Sequence, residues 1–326
     1  CMRVPLPAAM ITTSTAFMRW ILRRAWSRIC SLIQAIINHG SPRRLTPWLC
    51  VLALTGLSGC SMVQTVYNRS PDLAYWWIDG FVDITPQQRT VLIEDLENYQ
   101  RWHRTTQLPR YAQWLRQMQT LALQDISEEQ SCKLYGEIWD SLLSLADPAE
   151  AGTTRLARSL STEQLEHLRS KIERHHRDWR RDWLEPGPAE GLDKRVKRAR
   201  ERAEDFYGRL DTSQQRLLRQ QAERSPYDIA LAEAIRLRRQ EDIMNTLRGL
   251  QRQAPSPEEA RAQVRALLQR SVRSPVAEHQ AYVVRLNDYN CRAMAQLHNS
   301  TSPEQRQSAF KRLQKYERDV LALMNP

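Results

Sequence analysis

The chain has 326 residues, with 48 Lys and Arg against 37 Asp and Glu, a formal net charge of +11 at pH 7. Seven of the arginines lie within residues 1–59, which contain no acidic residue, so the other 267 residues carry 41 basic and 37 acidic side chains, a net charge of +4. This near balance argues against a nucleic-acid-binding protein, whose surface would carry a strong positive field.

Residues 1–59 have the pattern of an export signal. Arg43 and Arg44 precede an apolar run at 48–57, about ten residues long and too short to span a bilayer. The run ends in four residues that resemble the bacterial lipobox, in which a small residue precedes a lipid-modified cysteine: Leu57, Ser58, Gly59 and Cys60. We therefore expect cleavage before Cys60 and a covalent lipid on Cys60, with no other cofactor.

The lipid would determine where in the cell the protein is located. One acyl chain binds a membrane only marginally, whereas two or more make attachment stable. Ser61 stands where an aspartate would signal retention in the inner membrane. We expect a lipoprotein of the cell envelope that faces the periplasm from the outer membrane, with the membrane and an envelope protein or glycolipid as partners.

Two cysteines remain after Cys60. An even pair in an oxidising compartment favours a disulfide between Cys132 and Cys291, and the alternative is two separate buried thiols. Closing a loop of about 160 residues would stabilise the fold by roughly 4–5 kcal/mol in the chain-entropy model.

The mature chain is predicted to be all-α, with a lipidated tether at 60–70 and a helical domain at 71–326. Glycine is scarce, and Leu, Ala, Gln and Arg dominate, which are good helix formers. A start signal recurs six times, with Ser, Thr or Asp at the N-cap and Gln or Glu three residues later, as in a capping box. The predicted N-caps are Thr85, Ser127, Ser161, Asp211, Ser256 and Ser302.

These starts and the apolar spacing predict ten or eleven short to medium amphipathic helices in an antiparallel array or bundle. Residues 186–188, Pro-Gly-Pro, mark a possible subdomain boundary. The helices are expected at 71–82, 86–105, 109–124, 128–146, 162–185, 190–209, 212–224, 227–252, 257–271, 275–299 and 303–324.

Two segments carry a family resemblance. Residues 66–79, Val-Tyr-Asn-Arg-Ser-Pro-Asp-Leu-Ala-Tyr-Trp-Trp-Ile-Asp, are followed by Trp102-His103-Arg104 and by Leu108-Pro109-Arg110-Tyr111-Ala112. With the lipobox, they resemble an uncharacterised family of proteobacterial all-helical lipoproteins, which implies a location and a fold class but no activity. The Ser/Thr-x-x-Gln starts are also similar, more weakly, to the Leu-Thr-x-x-Gln repeats of periplasmic helical chaperones.

His103 is the first candidate site residue. It lies between Trp102 and Arg104 at the end of an apolar helix face. It could serve as a buried acid–base or ligand-binding group, but a histidine that hydrogen-bonds at a helix end is the favoured interpretation.

The second candidate is the basic region at 169–202, where arginines alternate with two tryptophans one turn apart. It could form a groove for anionic lipid heads, lipopolysaccharide or peptidoglycan, with arginines stacked on aromatic rings. The favoured alternative has the tryptophans in the core and the arginines paired with acids along the helix. The candidate contacts are Arg177, Trp179, Arg180, Arg181 and Trp183.

Two further patterns favour ordinary structural roles. Glu163 and His167 are spaced as metal ligands can be, but no second histidine follows at that spacing, so we expect a solvated charged face and no metal site. Trp76 and Trp77 lie near the predicted anchor, either at the membrane interface or in a hydrophobic knot where the first helix docks. The knot is favoured, because adjacent residues cannot face one way on a helix.

The sequence contains no recognisable catalytic motif. We therefore expect a non-catalytic interaction or chaperone-like protein of the envelope, which holds another protein in grooves between amphipathic helices. The alternative is a binder of anionic glycolipid or peptidoglycan through the 169–202 region.

Overall fold

The computed structural model describes residues 59–325 in backbone and 63–325 in side chains. Residues 1–58 of the predicted export signal, with Leu57 and Ser58, lie outside the described residues, as does the side chain of Cys60, while Gly59 and Cys60 are described in backbone. The chain divides into one unit at Cys1–Thr65 and a larger compact unit at Val66–Pro326, which contains the candidate sites.

The prediction of an all-α fold is confirmed, since the described residues form helices and no strand. The helices are α1 (Gly59–Asn68), α2 (Ser70–Val82), α3 (Pro86–Trp102), α4 (Leu108–Ala122), α5 (Glu128–Ser144), α6 (Glu150–Ser159), α7 (Thr162–Trp183), α8 (Gly187–Tyr207), α9 (Thr212–Arg224), α10 (Ile229–Gln253), α11 (Pro257–Val272), α12 (Ala277–Asn299) and α13 (Pro303–Met324).

The expected break between α3 and α4 is instead one turn of π-helix at His103–Gln107. Leu108 donates its backbone N–H to the carbonyl of His103, five residues back. Pro109 has no N–H, and its ring would collide with a carbonyl four residues earlier in a regular α-helix. The wider turn accommodates the proline, so α3 and α4 follow each other without a loop.

Helix α6 was missed from sequence, because Asp147-Pro148 indicates a break and Gly152, Thr153 and Thr154 are weak helix formers. Tertiary contacts stabilise it instead. The carboxylate of Glu150 accepts hydrogen bonds from Arg261 and Arg265 of α11 at 2.8 and 2.6 Å. Gly152 is needed here, since a Cβ would lie 3.1 Å from the Asp95 side chain.

The predicted tether at 60–70 is largely helical, because α1 runs through it to Asn68. The interruption before α2 is short, and Pro71 lies in the first turn of α2, where a missing N–H costs nothing.

All six predicted capping boxes are present. The side chains of Thr85, Ser127, Ser161, Asp211, Ser256 and Ser302 each accept a hydrogen bond from the backbone N–H three residues on, and the Gln or Glu at that position bonds back to the cap N–H. These boxes satisfy backbone donors that would otherwise be orphaned at the helix start.

Four of the box glutamines also bond to each other across helices. Gln88 of α3 and Gln164 of α7 exchange amide hydrogen bonds of 3.0 and 2.7 Å. Gln88 donates in addition to the Ser159 carbonyl, and Gln164 donates to the Asp83 carbonyl. This first glutamine pair joins the N-termini of two helices that begin 76 residues apart.

Gln214 of α9 and Gln305 of α13 form a second glutamine pair with the same pattern. Their amides exchange bonds of 2.7 and 2.9 Å, and they donate to the carbonyls of Ser300 and Arg209. In both pairs the accepting carbonyl lies two residues before the partner helix's N-cap. Gln214 is 1% exposed, so its amide has exchanged water entirely for protein partners.

The core follows from this helix pairing. Leu165 and Leu168 of α7 pack with Met244, Leu247 and Val264 of α10 and α11 in one cluster. Helix α4 packs along α13, and α5 along α12. Several helices from before residue 186 therefore pair with helices from after it, and the turn at 186–188 lies within the unit Val66–Pro326.

Cys132 of α5 and Cys291 of α12 are joined in a disulfide, with their Cα atoms 4.8 Å apart. Ser131 donates to the Cys291 carbonyl at 2.6 Å beside it. Among the helices described, none combines the length and apolar content needed to cross a membrane.

Changing one amide to a carboxylate separates the contribution of the glutamine pairs to stability from that of the caps. Glu259 performs the capping role as a carboxylate, so Gln214→Glu keeps its box but loses two amide donors and sets a negative charge against the Ser300 carbonyl. We expect the free energy of unfolding to fall by about 3 kcal/mol, measured by urea denaturation.

The matched control is Gln130→Glu. Gln130 is exposed and bonds to Ser127 of its own box. We expect a change within about 0.5 kcal/mol, because a carboxylate in the first helical turn interacts well with the helix dipole. Equal losses for the two variants would contradict a role of the pairs beyond capping.

Candidate anion-binding site

Helix α7 carries the predicted contacts of the basic region. It begins at the Ser161 capping box and ends at Trp183, before a turn in which Gly187 adopts a φ of 81°. It packs against α2 and α10. This placement brings the tryptophans of α7 next to arginines of other helices.

Both tryptophans stack with arginines from neighbouring helices. The guanidinium of Arg236 on α10 lies 5.8 Å from the ring centre of Trp179, and that of Arg198 on α8 lies 4.1 Å from Trp183. His176, one turn before Trp179 on the same helix, stacks on its ring with the two ring centres 6.2 Å apart. The arginine–aromatic stacking expected of a groove is present, although the rings are also half-buried between helices.

The arginines of α7 itself have carboxylate partners. Arg180 donates to Glu233 of α10 at 2.5 Å, and Arg181 lies 2.8 Å from Asp178, three residues back. Arg177 is exposed. The pairing along the helix that sequence favoured therefore holds for Arg181, while Arg180 reaches across to α10.

Three arginines of α10 form what we call the arginine cluster: Arg236, Arg238 and Arg239. Each has an Nε atom that is buried and has no hydrogen-bond partner among the described residues. Arg238 is partly compensated, since it bonds to Asp242 at 3.5 Å and donates to the Arg270 carbonyl at 2.7 Å. Among the described residues, Arg236 and Arg239 have no such acceptor.

The pKa values of two arginines in the cluster are lowered. Burial lowers the pKa of Arg239 below its usual value, and the positive charges of Arg238 and Arg236 lower it further. Burial also lowers the pKa of Arg236. These guanidinium groups are half-buried, and their Nε atoms lack an acceptor among the described residues, so a bound anion would stabilise them.

Two histidines border the cluster. Burial lowers the pKa of His175 and of His176, so both are neutral at pH 7. His176 Nε2 lies 3.3 Å from Glu233, where the neutral ring donates its proton. Its Nδ1 is then a buried acceptor that has no partner among the described residues. Since an acceptor does not bind an oxyanion, the unfilled donors at this site are the Nε atoms of the arginine cluster.

Sequence reasoning missed the arginine cluster. A signal was present, because Arg236-Leu237-Arg238-Arg239 follows the mostly apolar stretch 229–235 within one helix, where about two turns of mostly apolar residues imply burial. The sequence prediction instead placed the basic site in the more strongly basic region at 169–202.

His103 lies away from any carboxylate partner. Its Nδ1 is 2.9 Å from the hydroxyl of Tyr67, and its ring meets Tyr111 edge-on at 5.6 Å. Burial lowers its pKa. A buried His103 facing a carboxylate would have indicated an enzyme, whereas this histidine joins an aromatic cluster at the π-helical turn.

One group of possible metal ligands lies close together in the described part of the chain: Cys132, Asp288 and Cys291, with ligand atoms within 4.8 Å. Because the two sulfurs are bonded to each other, they do not offer thiolates to a metal. Glu163, which was expected on a solvated charged face, is exposed, and its pKa is lowered mainly by a hydrogen bond from Ser161.

The comparisons with known proteins place the chain in one family. No curated protein matches it, and no solved structure matches it. The model of a family of unknown function, DUF6279, matches residues 80–271, which include α3 to α11 and the arginine cluster. Since this match covers more than half of the chain, the protein belongs to the DUF6279 family.

Proposed function

We propose that the protein is a lipid-anchored, non-catalytic binding protein of the bacterial cell envelope, and that it holds an anionic ligand at the arginine cluster. The observation that carries this proposal is the set of buried guanidinium Nε atoms on Arg236 and Arg239 without an acceptor. An oxyanion at this position would accept their hydrogen bonds and offset two desolvated charges.

The chemistry of the ligand follows from its donors. Guanidinium groups bind phosphate and carboxylate in a forked, two-point geometry, and the neighbouring Trp179 ring gives an apolar face for the rest of the molecule. Anionic glycolipids and peptidoglycan fragments of the envelope combine such groups with sugar rings. The lipidated Cys60 and the Ser61 that follows support an outer-membrane position for the protein.

Binding of a client protein in apolar grooves is less well supported by the described surface. Two of its clefts, of about 360 and 390 Å³, are lined largely by polar or small side chains: Asn68, Arg69, Pro71, Asp72, Glu97, Gln100 and Arg101 in one, and Thr246, Ala262, Gln263, Ala266 and Arg270 in the other. An amphipathic helix docks instead on a hydrophobic groove. The anionic ligand is therefore the better candidate.

Calorimetric titration of the purified protein tests the proposal. The probes are inorganic pyrophosphate, a muramyl peptide and lipopolysaccharide, which separate phosphate, carboxylate and whole-glycolipid recognition. We expect Arg236→Gln with Arg239→Gln to weaken binding of the preferred probe at least about tenfold, since two charge-assisted hydrogen bonds are lost.

The control removes the same charge elsewhere, by Lys311→Gln with Arg318→Gln at exposed positions of α13. Binding should then stay within about twofold of the unchanged protein. Equal weakening by both double variants would reduce the effect to net charge, and an absence of binding to all three probes would refute the proposal.

The arginine cluster should also carry a cost in stability when no anion is bound. Arg239→Met keeps the length of the side chain and removes the buried charge, so we expect the free energy of unfolding to rise by about 1 kcal/mol in chloride buffer. Added pyrophosphate should stabilise the original protein more than the variant.

Arg238→Met is the matched control in the same helix. Arg238 is bonded to Asp242 and to the Arg270 carbonyl, so its replacement should destabilise by about 1 kcal/mol. If Arg239→Met were as destabilising as Arg238→Met, the Arg239 guanidinium would have a structural partner and the cost argument would fail.

A further inference from the structure

The most apolar stretch of the described chain is also poorly covered. Helix α2 has the sequence Ser-Pro-Asp-Leu-Ala-Tyr-Trp-Trp-Ile-Asp-Gly-Phe-Val, yet Pro71 and Val82 are its buried residues. Trp76 is 58% exposed and Trp77 is 45% exposed. The predicted hydrophobic knot is therefore wrong for these two side chains, because α2 turns them outward.

Residues on an adjoining face of α2 hold the helix in place. Ile78 and Phe81 pack against the core cluster, and Phe81 stacks on His175 of α7 with ring centres 4.9 Å apart. Trp77 contacts Phe81, also at 4.9 Å. The helix is thus fixed from within, so the outward position of Trp76 follows from its place in the helix and not from a detached segment.

We infer that this tryptophan face of α2, Trp76 with Trp77, docks into the headgroup region of the phospholipid bilayer that carries the anchor. Indole rings favour this region, because an apolar body can enter the acyl boundary while the N–H stays hydrated. The helix does not need to span the bilayer to do so, since one face of a surface-bound helix suffices.

Chain length supports this occupant. Trp76 follows Cys60 by sixteen residues, which reach at most about 55 Å even when fully extended. This step rests on the proposed lipidation of Cys60. A lipid at that residue keeps the tryptophans within such a distance of the membrane surface for the life of the protein, so even a weak interfacial affinity acts at a high local concentration.

The charges beside the tryptophan face do not oppose docking. Asp72, one turn before Trp76, is paired with Arg69 at 3.3 Å. The exposed Arg89 lies over the ring of Tyr75 at 5.2 Å. Lys171 and Arg174 lower the pKa of His175, which stacks on Phe81, although the larger effect of Asp178 opposes them. Cations at the edge of an aromatic surface match phospholipid phosphates.

The test uses the lipidated protein in vesicles of brominated phosphatidylcholine, with bromine near the top of the acyl chain as a quencher. Seven tryptophans lie after Cys60. Trp76→Phe with Trp77→Phe keeps an aromatic surface but removes two fluorophores, so the quenched fraction reports where these rings lie. We expect this variant to lose more than half of the quenching shown by the original protein.

Trp139→Phe, a half-buried position on α5, is the matched control and should retain the quenching. Cosedimentation with the vesicles reads the anchor separately. Protein that cosediments but shows the same quenching in all variants overturns docking while leaving the anchor intact, and protein that does not cosediment contradicts both. Cross-linked dimers that disappear in Trp76→Ser, without quenching, would assign the face to a second copy of the chain.

Discussion

The fold depends on satisfying the backbone hydrogen-bond donors at the start of each helix. Short helices expose unpaired backbone donors at their first turn, and a chain with so many starts must satisfy them repeatedly. Here the capping glutamines satisfy the local donor and then bond to each other across helices, at Gln88 with Gln164 and at Gln214 with Gln305. A local cap thus becomes a tertiary contact, and the positions of four helices follow from two amide pairs.

This arrangement leaves the functional chemistry to side chains that the fold does not need. Glu150 is matched by two arginines, and Asp242 by Arg270 and Arg238, so most buried charge is balanced within the protein. Arg236 and Arg239 depart from that rule. These two half-buried guanidinium groups have no carboxylate partner among the described residues, and this difference from the paired charges supports the proposed anion-binding site.

Local signals were readable from the sequence, and contacts between distant segments were not. The six capping boxes are four-residue patterns with a fixed geometry, so Ser161 and its equivalents were predicted with their partners. The disulfide partners Cys132 and Cys291 followed from cysteine arithmetic. Helix α6 was not predicted, because Glu150 is held by arginines more than a hundred residues away. The apolar stretch before the arginine cluster hinted at burial, but only the packing of α10 shows which of its nitrogens lack an acceptor. The exposure of Trp76 likewise depends on which face of α2 finds a neighbour.

The pairing of α4 with α13 has a consequence for how the chain reaches this state. Residues 108–122 find their main neighbour at 303–324, and the disulfide joins residues 159 apart in sequence. Contacts between such distant residues require the chain to lose the entropy of closing a long loop before the contacts form, which slows folding. Helix α4 therefore lacks its main neighbour until the last helix of the chain is available.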